Sequence, residues 1–291
     1  MMRLNPIIKK EIEIKSRSLT LPVIMTVFNA VLFVIGLSAA SSLILLMKRN
    51  YTADYGSFLR AYLFVVMLEF VMVIFSAPLF TAASISGERE KGTLDLLLTT
   101  ALTPADIVIE KFISAYLSMC MLIVSCLPAM LIPLMFGGVH IQSTVFLMLI
   151  MAVEVIFVLA IGMFSSCIGG ASVRSIAIAY ALTAGVTAGP FIISAVAGAF
   201  TATGHNAAAY IFVIDPLLPV FAILADQIGE SGQLASLFSM LNAAPDMAFL
   251  RYAAFIGVTV QLAAGAALIM GAILYLTPRR KQGLEKEARS R

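Results

Sequence analysis

Long apolar runs alternate with short charged breaks along this chain. Residues 18–47 carry no charge and end at Lys48-Arg49-Asn50. Residues 61–87 hold a single charge before Glu88, namely Glu69, and contain Pro78, which is predicted to kink the run. Residues 112–153 are again uncharged, too long for one crossing, and Phe136-Gly137-Gly138-Val139-His140 divides them. Glu154 interrupts the second part, which continues to about residue 168. Gly169-Gly170-Ala171-Ser172-Val173-Arg174 reads as a tight turn, and a last run closes at Arg279-Arg280-Lys281. A helix needs about 20 mostly apolar residues to cross a bilayer. The pattern therefore predicts six spans over 18–47, 61–86, 105–135, 143–168, 175–200 and 252–277.

The segments between the runs have their own patterns. In residues 1–17, Leu4, Ile7, Ile8 and Ile12 recur at helical spacing, while Lys9, Lys10, Glu11, Glu13 and Lys15 cover the other sides. This predicts an N-terminal helix lying in the membrane interface, its lysines near anionic head groups. Ser38-Ala39-Ala40 could pass for a signal-peptide cleavage site. The apolar stretch before it exceeds the roughly 7–15 residues of such a peptide, so the first span is read as uncleaved. Thr103-Pro104-Ala105-Asp106 is a helix start, with Thr103 as N-cap and Asp106 facing the helix dipole. Residues 201–250 are broken by Asp215-Pro216, Pro219, Asp226, Gly229, Glu230, Pro245 and Asp246. They are read as short helices re-entering one membrane face.

Composition agrees with lipid as the solvent. Of 291 residues, 61% are hydrophobic and 12% charged, with a mean hydropathy of +1.01. Soluble domains carry about 25% charged residues, and a larger soluble core would still need a polar exterior. Lys and Arg set the orientation. With the N-terminus in the cytoplasm and six spans, fifteen of the 19 basic residues fall inside. Both termini and residues 88–104 are then cytoplasmic, 279–291 form a cytoplasmic tail, and 201–250 form an external cap. The net charge of +3 does not point to nucleic acid.

Candidate chemistry is sparse. Cys120, Cys126 and Cys167 lie inside apolar runs without metal-ligand spacing and read as small buried hydrophobes. His140 and His205 stand alone. No Walker-type or Gly-x-Gly-x-x-Gly loop occurs, and neither His-Glu-x-x-His nor Gly-x-Ser-x-Gly is present. The intramembrane acids are Glu69 and Glu154. Each costs about 2.5–3.5 kcal/mol at mid-membrane on insertion scales, so each is expected to face protein, a wet cavity or a proton. Either a substrate or ion contact or a hydrogen-bonded packing role fits them.

The most distinctive stretch is polar: Ser86-Gly87-Glu88-Arg89-Glu90-Lys91-Gly92-Thr93-Leu94-Asp95-Leu96-Leu97-Leu98-Thr99-Thr100-Ala101-Leu102-Thr103-Pro104. Four charges follow the second run. Gly92 permits a bend, and Leu94, Leu97 and Leu98 recur at i, i+3, i+4. A short amphipathic helix at the surface can plug a partner's groove, whereas a solvated loop would lay these leucines into the interface. The pattern Glu88, Glu90, Gly92, Thr93, Leu94, then Leu97-Leu98, Thr103-Pro104 and Lys111, resembles the signature of the type-2 ABC exporter permeases. Asn5-Pro6 and Asp215-Pro216-Leu217-Leu218-Pro219 resemble that family less specifically.

The resemblance implies an all-α polytopic membrane protein: six transmembrane helices, an N-terminal interfacial helix, a cytoplasmic coupling helix between spans 2 and 3, and re-entrant external helices between spans 5 and 6. It implies a permease of the cell membrane that forms the pathway in a homo- or heterodimer, with lipid around it. It implies no catalysis by this chain and no bound cofactor, with ATP and Mg on a separate ATP-binding subunit. Coupling to that subunit would involve Glu88, Arg89, Glu90, Gly92, Thr93, Leu94, Leu97 and Leu98. A different class, an ion-driven secondary transporter using Glu69 and Glu154, is the alternative. A membrane-embedded enzyme lacks a visible catalytic constellation.

Overall fold

A computed structural model of the chain describes residues 20–50, 55–94, 103–128, 130, 141–200, 207–227, 238 and 247–290. Among them there is no strand. The helices are α1 (Thr20–Asn50), α2 (Tyr55–Thr81), the short α3 (Ser86–Glu90), α4 (Pro104–Ser125), α5 (Ile141–Ile168) and α6 (Ser172–Phe200). A 3-10 helix (Ala207–Ile214), α7 (Leu217–Gln227) and α8 (Met247–Ser290) follow. Six segments are long and apolar enough to cross a membrane: Pro22–Ser42, Tyr62–Glu90, Pro104–Ser125, Ile141–Ile168, Ser172–Ala197 and Tyr252–Thr277. The chain is an all-α protein with six membrane spans. The interfacial helix predicted over 1–17 lies outside the described residues, as does most of the stretch between α7 and α8.

Helix α5, the fourth span, is the hub. It packs against α2, α4, α6, α7 and α8. Its mean hydropathy of 2.8 is the highest of the six spans. A helix apolar on all sides is one that other helices surround, and α5 buries Leu147, Met151, Val155, Val158, Leu159 and Met163. The largest core cluster joins these to Phe28 and Leu32 of α1, Val66, Phe70 and Val73 of α2, Met119 and Leu122 of α4, and Val220 and Leu224 of α7. The first, fifth and sixth spans leave most of their apolar surface outward.

The two ends of the bundle are finished differently. Near the start of α5, Gln227 Nε2 donates to the Ser143 carbonyl at 3.1 Å, which pins α7 there. Asp215 Oδ1 accepts from Leu217 N at 3.0 Å and caps α7. Phe212, Phe238 and Phe249 stack edge-to-face beside it. The segment after α6 thus contains short helices packed on one end of the bundle. At the other end, Ile85, Leu94, Ile107, Val108, Met163, Cys167, Ala272 and Leu276 form a separate cluster. There α2 runs through Pro78 and stops at Thr81, and the chain turns before α3. The start predicted at Thr103 is a full capping box: Thr103 Oγ1 accepts from Asp106 N at 3.2 Å and Asp106 Oδ2 accepts from Thr103 N at 2.9 Å.

Candidate functional site

The polar stretch lies at the end of the bundle that holds the second cluster. Its approach is set by close packing of small residues. Gly162 of α5 faces Thr81 so closely that an added Cβ would sit 2.0 Å from Thr81 Oγ1. One turn further along α5, Ser166 Oγ accepts from Ile85 N at 2.9 Å and from Ser86 N at 3.1 Å. These are N–H groups at the start of α3, which has no side-chain cap of its own. A buried serine of another helix supplies the acceptor that a local cap would otherwise give.

Three of the charged residues that follow are tied down. Glu88 Oε1 pairs with Lys111 Nζ of α4 at 2.7 Å. Arg89 Nη2 donates to the carbonyl of Cys167 at 2.8 Å, in the last turn of α5. Glu90 Oε2 accepts from Ser172 Oγ, the first residue of α6. Gly92 has φ +69°, so the bend expected there is a left-handed one that suits glycine. Thr93 Oγ1 donates to the Glu88 carbonyl at 3.1 Å across that bend.

Leu94 is only 3% exposed and belongs to the bundle's own core. Leu94 anchors the segment inward, while Leu97 and Leu98 lie outside the described residues. Lys91, Gly92 and Thr93 are exposed.

Glu69 and Glu154 are buried to 0% and 1% exposure. None of their four carboxyl oxygens has a hydrogen-bond partner among the described residues. The packing reading, in which each acid is hydrogen-bonded between helices, is not what these contacts display. The two acids have different surroundings. Glu69 lies in electrostatic range of Tyr62 and Cys126, and Glu154 in range of Asp215. Asp215 is itself 1% exposed, and burial pushes its carboxyl up to about 7. Gln261 Nε2 donates to the Asp215 carbonyl at 3.1 Å. No group of three or more His, Cys, Asp or Glu among the described residues forms a metal site.

Between α2, α6 and α7 lies an apolar cavity of about 150 Å³, lined by Ile74, Phe75, Tyr180, Thr183, Thr187 and Leu217 among others. Tyr180 Oη donates to the Phe75 carbonyl at 3.0 Å, and the two rings lie 5.0 Å apart. Thr183 Oγ1 is buried without a hydrogen-bond partner among the described residues.

Sequence reasoning singled out Glu88, Arg89 and Glu90 but not their partners on α5 and α6. Ser166, Cys167 and Ser172 lie in a run of small residues, Ser165-Ser166-Cys167-Ile168-Gly169-Gly170-Ala171-Ser172. That run was the available signal. It reads as a turn, and only the fold shows that it faces the charged stretch. Gly162 likewise gives no signal until its neighbour is known.

No curated protein matches the chain. A family model described as ABC-2 family transporter protein matches residues 6–276, nearly the whole length. With the six spans and the Glu-Arg-Glu stretch at the end of the second, the chain belongs to the ABC-2 family of transporter proteins and is a membrane permease component of an ABC transporter.

Proposed function

We propose that this chain is the membrane-spanning subunit of an ABC exporter, driven by separate ATP-binding subunits through residues 88–98. The observation that carries the reading is the family match, together with the placement of its most specific motif. Residues 88–94 sit at one end of the bundle, joined to three other helices, with Lys91, Gly92 and Thr93 outward. A bound partner there would touch a segment that is mechanically connected to the spans. The excess of Lys and Arg supports a cytoplasmic location for this end, where ATP is. ATP and Mg bind the partner, since the chain has no phosphate-binding loop.

The grip falls on Leu97, Leu98 and the exposed side of residues 91–93, with Leu94 as the inward anchor. Glu88, Arg89 and Glu90 hold the segment to the bundle. Two membrane subunits, of this chain or of this chain and a relative, form the pathway between them. The outward apolar surfaces of the first and fifth spans supply the dimer face and the contact with lipid. The cavity between α2 and α6 gives the route an apolar wall with one unpaired hydroxyl.

Affinity purification tests this reading. The wild-type chain should retain an ATP-binding subunit, and Leu97→Asp with Leu98→Asp should release it without loss of the folded permease. Equal retention by the variant would sink the assignment. A gradient-driven carrier would instead work without any ATPase.

A further inference from the structure

Three consecutive residues reach three different helices. Glu88 pairs with Lys111 near the start of α4, Arg89 donates to the end of α5, and Glu90 accepts from the start of α6. The charge order matches the helix ends. Cys167 O is one of the last four carbonyls of α5, which an α-helix leaves without an intrahelical donor and which form its negative pole. A guanidinium is the natural partner there. Ser172 opens α6, whose N-terminus is the positive pole, and a carboxylate sits against it. The turn between these helices is short, with Gly170 at φ +79° and 3.9 Å between its added Cβ and Arg89 Nη1. Arg89 and Glu90 thus clasp both ends of one helical hairpin.

We propose that Glu88, Arg89 and Glu90 form a three-way clip that makes the inner ends of the third, fourth and fifth spans move with the polar segment as one body. The inference rests on the coupling reading above and extends it. Force on residues 88–98 is delivered to α4, α5 and α6 directly, and not only along the chain into the second and third spans. Ser166, through its two backbone contacts to residues 85 and 86, braces the same joint. Loss of a hydrogen bond to a charged group shifts an equilibrium by on the order of tenfold.

The test places spin labels at Lys91→Cys and Val173→Cys, both exposed, in a chain whose three native cysteines are replaced by alanine. Pulsed dipolar spectroscopy reads their separation in the isolated chain and in the complex with its ATP-binding subunit. The clip predicts one narrow distance, the same without nucleotide and with ATP and vanadate. Arg89→Ala with Glu90→Ala should raise a second, longer population about tenfold. The swap Arg89→Glu with Glu90→Arg should raise it further, because each charge then faces the wrong helix pole.

A nucleotide-dependent shift in the unmutated clip overturns the proposal. So does a double variant whose distribution matches that of the unmutated clip. If the double variant is too unstable to label, Ser172→Ala and Arg89→Lys carry the same comparison, and unchanged distributions in both overturn it. Failure of any ATP-binding subunit to bind counts against the coupling reading alone, since the isolated-chain comparison still decides the clip.

Discussion

Gly162→Ala is a single added methyl group at the joint between the second and fourth spans. In an unobstructed helix the change from glycine to alanine stabilises by about 0.5–1 kcal/mol. Here the new Cβ meets Thr81 Oγ1 at 2.0 Å and Thr81 Cβ at 3.2 Å, well inside the 3.4 Å at which ordinary contact begins. Thr81 is fully buried, so relief requires either a change of its rotamer against packed neighbours or a separation of α2 and α5. Overpacking of this kind costs about 1–3 kcal/mol, which outweighs the helical gain. The net loss is up to about 2.5 kcal/mol, or a fall of up to about 10 °C in melting temperature for a chain of this size.

The protein has no tryptophan. Cys126 and Cys167 are fully buried, however, so a thiol-reactive dye reports unfolding in detergent. Thr81→Ala combined with Gly162→Ala should recover most of the loss, because the 2.0 Å contact with Thr81 Oγ1 is then gone. Gly185→Ala, with nothing within 4 Å of its added Cβ, should be tolerated. A Gly162→Ala protein that melts at or above the wild type would refute the packing argument at this joint.

Other perturbations follow from the same contacts. Ser166→Ala removes the acceptor of two buried N–H groups and should cost about 2 kcal/mol, read by the same dye; an unchanged melting temperature would mean other acceptors take over. Glu69→Met replaces a fully buried carboxyl without a hydrogen-bond partner among the described residues and should raise stability by about 1–3 kcal/mol, whereas a loss would reveal a partner or cargo contact made by the acid. Asp215 has its carboxyl raised from 3.8 to about 7 by burial, so the folded state binds the proton more tightly than the unfolded state. Its penalty is absent below about pH 4, grows as pH rises toward 7, and is then constant. Melting temperatures across that window should fall with pH in the wild type and flatten in Asp215→Asn, and parallel slopes would contradict the assignment.

Much of the architecture was legible because lipid imposes a simple code. Uncharged runs of sufficient length gave six spans, and Thr103-Pro104-Ala105-Asp106 gave a helix start that the capping box bears out. Broken hydropathy over 201–250 matched short helices packed at one end of the bundle in the part described. Hydrophobic periodicity said little about which helix is central, since every span is apolar. The highest mean hydropathy of the six spans sets α5 apart, while the value of its small residues Gly162 and Ser166 lies in what approaches them. In the polar stretch the sequence singled out Glu88, Arg89 and Glu90, and it grouped Leu94 with Leu97 and Leu98. Leu94 is buried, because the left-handed turn at Gly92 points it into the cluster with Ile85 and Ile107. Adjacent charges looked like a solvated surface for the same reason: their partners are a lysine, a carbonyl and a hydroxyl far away in sequence.

The most direct test of the central claim is a photo-reactive amino acid at Thr93, on the exposed side of the polar segment. In native membranes illumination should join the chain to an ATP-binding subunit. The same probe at Phe255, exposed on the last span, should capture no such subunit. An adduct with the ATP-binding subunit from Phe255 but not from Thr93, or reaction of Thr93→Cys with an impermeant reagent added outside intact cells, would contradict the account.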